Sequence, residues 1–451
     1  MSAAVRAIDI SDVLETPRLK SFHFKIILLC GLVALLDGFD TQSIAFVAPS
    51  LAQTIGINIT SFGPIFSAGL VGLAIGSTVF GPLADRFGRR KVIYCSTFAF
   101  GAFSLATVLA DSYVSLVALR FLTGLGLGAA MPNIIALTSE FSPKRTRAWL
   151  VTLMFTGFPL GAVVGGFISA QLIPIWGWQA VFVLGGVTPM VLTVVLVFWL
   201  PESVRFLVHK GAQSGDIISI LSHINPSGYA AGDNFICSEH RIANTSVRHL
   251  FKAGRALTTL LLWVPFFMNL LLLFFMYNWL PPVLQAAGLP ITRAIIATVL
   301  FNLGGVVGGL VQARLTDKYG PYRVLGPAYL FGAIFVAAIG FSETIPAIMT
   351  FVTLSGACVV GAQIGANVLA ASLYPTAIRA TGVGWALGVG RLGSIIGPIV
   401  GGFLLSLHWP NNDLFLAAAV PSVCGALAVF FLSRRPHHEW HPGETEPDLA
   451  H

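Results

Sequence analysis

The sequence predicts an all-α polytopic membrane protein of twelve transmembrane helices in two pseudo-symmetric six-helix bundles. Three observations carry that expectation. Of 451 residues, 55% are hydrophobic and only 10% charged, against about 25% charged in an average soluble domain. Mean hydropathy is +0.82. Charge this sparse cannot cover the surface of a soluble chain, which argues against a soluble enzyme, a nucleic-acid binder and a disordered scaffold. Apolar runs long enough to cross a bilayer core of about 30 Å recur twelve times. Finally, part of the sequence repeats at a fixed offset.

The apolar runs cover 25–50, 62–83, 92–110, 113–137, 148–173 and 180–200, then 257–280, 294–311, 325–341, 346–372, 382–407 and 414–432. The layout is six spans, a polar break and six more. It gives a first bundle at 1–200, a central loop at 201–255, a second bundle at 256–433 and a tail at 434–451. The loop is mixed and amphipathic, so part of it is expected as helix lying along the membrane surface. No cleavable leader is expected, because the first 23 residues are polar and lead into a run long enough to span.

Basic residues set the orientation. Alternate connections, with both termini, carry 23 of the 26 Lys and Arg, and the opposite connections carry Arg293 alone. Both termini and the central loop are therefore expected in the cytoplasm. The net charge of +7 is a topology signal that needs no nucleic acid to explain it. Cys30, Cys95, Cys237, Cys358 and Cys424 are scattered, mostly in apolar runs. They read as buried free thiols, without a metal or disulfide framework. No cofactor or metal is expected, and nothing in the sequence demands assembly beyond a monomer.

The repeat lies at +232. Asp85-Arg86-Phe87-Gly88-Arg89-Arg90, after the second span, aligns with Asp317-Lys318-Tyr319-Gly320-Pro321-Tyr322. At the same offset Pro143 matches Pro375, Arg147 matches Arg379, and Leu160-Gly161 matches Leu392-Gly393. Parallel halves of this kind place a substrate site near the bilayer midplane, between them. The acid and bases of the repeated loop suit an ion-pair latch that alternating access would break. The competing reading is a solvated turn carrying orientation charge.

Only four charges fall within spans: Asp37, Asp40, Arg120 and Arg391. Each costs roughly 2.5–3.5 kcal/mol to insert and so requires a partner or a polar cavity. Asp37 and Asp40 are spaced i, i+3, share a helix face and repel when both are ionised. A pair that holds one proton is what proton coupling requires. Pairing of one Asp with one Arg is the structural alternative. None of the four is duplicated at +232, unlike the scaffold positions.

The Asp85 loop, Arg120 with Gly124, Gly126 and Gly128, and Pro201-Glu202-Ser203 together resemble the major facilitator superfamily over nearly the whole chain. Asp37-Gly38-Phe39-Asp40-Thr41-Gln42 resembles the first-helix signature of its aromatic acid:proton symporter family. The resemblance implies a proton-coupled symporter in a bacterial inner membrane that imports a hydroxybenzoate-like carboxylate by alternating access. It implies that Asp37 and Asp40 are essential to transport. It gives roles also to Arg120, Asp317, Arg379 and Arg391, with Asp85, Arg86, Arg89, Arg90 and Arg147 joining the cytoplasmic gate. Tyr322 departs from the basic residue that relatives can carry there.

For such a substrate, a guanidinium grips the carboxylate as a bidentate fork. Arg391 is the first candidate and Arg120 the second. Tyr277, Trp279 and Trp385 are candidates for the ring wall, and Asn269, Asn302, Gln363 and Asn367 for ring hydroxyls. Packing and helix–helix hydrogen bonding compete for each of these. A sugar porter, another organic-acid porter and a proton-coupled drug efflux antiporter remain alternatives. An intramembrane aspartyl hydrolase is disfavoured, because its two acids would lie on different helices.

Overall fold

The computed structural model describes residues 7–10, 13, 19–212, 214–224, 234–236, 247–251, 255–374 and 376–434. Arg6, Arg18, Cys237, Arg241, Lys252, Pro375, Arg435, most of the tail and parts of the central loop lie outside the described residues.

Twelve helices in the described residues are long and apolar enough to span. Those of the first half are Ser21–Ile55, Ile59–Phe87, Arg89–Leu109, Tyr113–Glu140, Arg147–Trp176 and Gln179–Trp199. Those of the second half are Ala256–Ala286, Ile291–Tyr319, Pro321–Gly340, Ile345–Leu373, Thr376–Ser406 and Asn411–Ser433. Most outrun their apolar cores by several residues, because a helix satisfies its own backbone groups and has no reason to stop at the edge of an apolar run.

By contacts the chain falls into two compact units. The first is Met1–Ile242 with Phe275–Leu303 and Pro398–Trp409. The second is Ala243–Phe274 with Gly304–Gly397 and Pro410–His451. The first unit thus takes in part of the seventh, eighth and eleventh helices.

The +232 repeat reappears as repeated packing. A Cβ on Gly161 would overlap the carbonyl oxygen of Leu35, and one on Gly393 that of Phe267. Gly72 and Gly76 meet the carbonyls of Phe121 and Leu125 in the same way. Their counterparts Gly304 and Gly308 meet Thr353 and Ala357. All three pairs of crossings obey the same offset, so each unit carries its own copy of the same close crossings. Small residues let backbones approach where lipid offers no hydrophobic drive to pack. The loop turn is duplicated too. Gly88 and Gly320 have φ of 102° and 82°, which suits glycine. Each donates its N–H back to a helix carbonyl at 2.9 Å, Gly88 to Ala84 and Gly320 to Thr316. Arg147 and Arg379 also match, donating from Nε to the carbonyls of Ser142 at 3.3 Å and Tyr374 at 3.4 Å.

The central segment forms helices Val204–His209 and Ser214–Ile224. The second is amphipathic as expected, and its apolar face packs on protein. Ile217, Leu221 and Ile224 are buried in a core cluster with Ile26, Phe141, Leu200 and Phe235. Two three-residue strands, Ala7–Asp9 and Asn234–Ile236, pair in parallel beside it, a small addition to the all-α expectation. Cys30 is buried, but Cys95 is exposed, against the sequence expectation of buried thiols.

The duplicated crossings set a direct test. Gly161→Ala and Gly393→Ala should each lower the melting temperature of purified protein by several degrees. Gly81→Ala and Gly384→Ala, where a Cβ meets nothing within 4 Å, should leave it unchanged.

Candidate functional site

The first unit gathers three of the four intramembrane charges. Asp37 and Asp40 sit one turn apart on the first helix, each 1% exposed, and Arg120 on the fourth helix is 4% exposed. Asp40 accepts from the Ser104 hydroxyl at 2.6 Å and from Arg120 Nη1 at 3.4 Å. Nη2 of Arg120 donates to Thr107 Oγ1 at 3.0 Å and lies 3.4 Å from Thr123 Oγ1. The guanidinium carbon stands 4.9 Å from the centre of the Phe182 ring. Asp37 Oδ1 accepts from Thr41 Oγ1 at 3.1 Å.

This arrangement changes the sequence expectation for two residues. The two acids are not alone with their mutual repulsion, because Asp40 carries Arg120 as a counter-ion. Arg120 is engaged by that acid, two threonines and an aromatic face, so it is not presented as a ready-made carboxylate receptor. A buried charge left without its partner is expensive, whereas the pair with its hydrogen bonds is tolerable. Ser104 and Thr107, three residues apart, were legible only as mild polarity in an apolar run.

A second polar junction joins the first helix to the eighth. Gln42 and Asn302 exchange two amide hydrogen bonds, each 3.1 Å, and Asn302 donates also to the Thr298 carbonyl at 2.9 Å. Asn302, expected as a pocket residue, is thus paired with a side chain that sequence reasoning had left without a role. Tyr277, in the same unit, packs edge-on to Phe301 at 5.7 Å. Trp279 is fully buried and donates to the Pro398 carbonyl at 2.8 Å, which makes it a packing residue.

The remaining candidates lie in the second unit. Asn269 donates to Gln363 Oε1 at 2.9 Å and to the Val359 carbonyl at 3.1 Å. Arg391 and Asn367 are exposed on their helices. Trp385 is exposed and stacks on Trp263 at 6.2 Å. Among the described residues, no group of His, Cys, Asp and Glu could hold a metal ion.

The Gly88 turn carries a charged network of its own. Arg89 donates to Glu140 Oε2 at 3.1 Å and reaches Asp85 only at 3.9 Å. Glu140 also accepts from Ser203 Oγ at 2.7 Å and from the Arg205 N–H at 3.0 Å. Glu202 accepts from the N–H groups of Arg90 at 3.0 Å and Ser203 at 2.9 Å. Arg90 Nη2 donates to the Val197 carbonyl. The acid at the centre is therefore Glu140, with a side chain 1% exposed, while that of Asp85 is 65% exposed. Arg86 is exposed. In the second unit the positions of Arg89 and Glu140 hold Pro321 and Ser372. Asp317 there is exposed and forms no ion pair among the described residues.

The Major Facilitator Superfamily profile matches residues 30–311 and 288–450. The chain is 41% identical to the 4-hydroxybenzoate transporter PcaK of Pseudomonas aeruginosa, over 94% of this chain and 96% of that one. It belongs to the aromatic acid transporter family of the major facilitator superfamily. Other members of the family include the gallate transporter of Pseudomonas putida, 41% identical with 94% of each chain covered. The 3-(3-hydroxy-phenyl)propionate transporter of Escherichia coli is 37% identical, over 90% of this chain and 93% of its own. Among solved structures, the xylose transporter XylE of E. coli matches with a TM-score of 0.71 at 19% identity, over 94% of this chain and all of that one. That likeness concerns the fold, a multi-pass membrane bundle of twelve helices.

The Gly88 network predicts unequal costs for its two acidic contacts. Asp85→Ala should change stability by no more than about 0.5 kcal/mol, as surface pairs do. Arg89→Ala, which strips a charged hydrogen bond from the buried Glu140, should cost about 1.5–3 kcal/mol. Thermal or denaturant melts of purified variants in detergent would measure both.

Proposed function

We propose that this transporter imports an aromatic carboxylate together with protons, by alternating access. The observation that carries the reading is the second buried acid: Asp37, 1% exposed, sits one turn from the buried Asp40–Arg120 pair, 3.4 Å apart, on a membrane-spanning helix, where a structural pair needs only one acid. Its support from relatives is that proteins named for 4-hydroxybenzoate, gallate and 3-(3-hydroxy-phenyl)propionate transport match over nine-tenths of the chain. In this reading the chain sits in a bacterial inner membrane with both termini in the cytoplasm, as the basic loops indicate.

The chemistry follows from the pair. A proton arriving from outside reaches Asp37 and Asp40. Neutral Asp40 no longer balances Arg120, so the local positive charge rises as the proton binds. That extra charge favours entry of an anion, and anion entry in turn favours protonation, which is thermodynamic coupling in its simplest form. Arg391, exposed on its helix, grips the carboxylate through its guanidinium fork. Asp37 is the second proton site. The Glu140 and Arg89 network holds the cytoplasmic ends of the first-half helices together.

Uptake of labelled 4-hydroxybenzoate and gallate into proteoliposomes, with and without an inward proton gradient, tests this. The gradient should drive accumulation, and Asp37→Asn and Asp40→Asn should abolish it. Gradient-independent uptake, or retained pH dependence in both variants, would refute the coupling. Arg391→Lys should raise KM at least about tenfold by removing the fork. Asp40→Asn paired with Arg120→Gln should recover folded yield relative to Asp40→Asn alone, but not uptake. Recovery of both would reduce the pair to a structural one.

A further inference from the structure

One charged cavity in the first unit has no part in this cycle. It has a volume of about 1020 Å³ and opens where the first, third and sixth helices end. Lys25 of the first helix, Lys91 of the third and Lys210, just beyond the short helix Val204–His209, all line it, and all three are exposed. Arg90 lines it too, but its Nη2 is committed to the Val197 carbonyl. Two acids share the space. Glu202 is spent on the N–H groups of Arg90 and Ser203, and Asp216 alone leaves the cavity net positive. His223 is stacked flat against Phe22 at 5.3 Å.

The opposite wall is apolar. Phe198 and Trp199 close the last turn of the sixth helix, 75% and 60% exposed, and Lys25 Nζ stands 5.5 Å from the Trp199 ring centre. Outward-facing aromatic rings at the end of a span lie where acyl chains give way to headgroups. On the first helix Phe24 and Leu28 are exposed apolar residues as well, 46% and 63%. A soluble anion would gain from the lysines and nothing from that wall. A zwitterionic lipid would gain from the wall with little net attraction to the lysines.

We propose that this cavity binds the headgroup of an anionic phospholipid. Lys25, Lys91 and Lys210 hold the phosphodiester, while the glycerol and first methylenes lie against Phe198 and Trp199. The three lysines belong to three separate segments, so a bound headgroup ties together the ends of the first and third helices and the segment after the sixth. The site is independent of which substrate the transporter carries.

The test uses the full-length protein in vesicles of phosphatidylcholine containing brominated phosphatidylglycerol or, at the same fraction, brominated phosphatidylcholine. The chain has nine Trp, so the Trp199 signal is the difference in quenching between wild type and Trp199→Phe. Brominated phosphatidylglycerol should quench that component more strongly than brominated phosphatidylcholine. The preference should weaken on the order of a hundredfold in Lys25→Gln/Lys91→Gln/Lys210→Gln, at roughly fivefold per lysine. It should survive in the Lys→Arg triple variant, which keeps the charge and controls for folding. Equal quenching by the two lipids would overturn the proposal, as would a preference unchanged in the Gln triple variant. Displacement of the lipid signal by millimolar glycerol phosphate would make this a soluble-anion site and overturn it equally.

Discussion

The ion pair between Asp40 and Arg120 is the interaction on which the first-half bundle is organised. Two charges buried to within a few percent in a membrane span would be prohibitive singly, and each is the reason the other is tolerated. Their ligands extend the dependence. Ser104 and Thr107 hold the third helix to the pair, Thr123 adds a second contact from the fourth, and Phe182 brings in the sixth through its ring face. Four helices are thus registered on one charge-neutral cluster. Any event that changed its charge would be felt by all of them, which is what the proposed proton coupling requires.

Duplication sharpens the contrast between scaffold and chemistry. The crossings at Gly72 and Gly76, the Gly88 turn and the Arg147 hydrogen bond all recur 232 residues on with equivalent partners. Neither charged cluster, at Asp40 or at Glu140, recurs. At the same offset Asp40 becomes Leu272, Arg120 becomes Val352 and Glu140 becomes Ser372. Backbone approach is a requirement each unit must meet for itself, since small residues are what permit close packing in lipid. A charge is needed once per function.

The same distinction explains what the sequence could reveal. The span count follows from hydropathy because lipid forces every backbone group to be satisfied within its own helix, a constraint local in sequence. The four intramembrane charges are equally plain, because each stands out from an apolar run. Partners are a different matter. Glu140 reads as an unremarked acid at a helix end, and only the fold brings Arg89, Ser203 and Arg205 to it from two distant segments. The repeated loop suggested Asp85 and Asp317 as latch acids, because motif spacing shows which residues are near in sequence and not which are buried. The helix Ser214–Ile224 likewise showed its apolar stripe, but not that the stripe meets protein instead of lipid.

Within six residues, the first helix carries Asp37, Asp40 and Gln42. At about 100° per residue, the two acids lie on one side, roughly 60° apart, while Gln42 sits about 200° from Asp40, on the far side. The helix is therefore clamped on opposite faces. Asp40 binds it to the third and fourth helices by a charged bond, and Gln42 binds it to the eighth by a neutral pair of amides. A primary amide does not titrate between pH 4 and 10, because Gln and Asn have no ionisable group in that range. In the proposed cycle, protonation would therefore loosen the Asp40 clamp while the Gln42 clamp stays intact. Within the proposed cycle, the first helix would swing about its Gln42 face as Asp40 gains and loses its proton. In that cycle the neutral junction would work as the pivot, and the charged one as the switch.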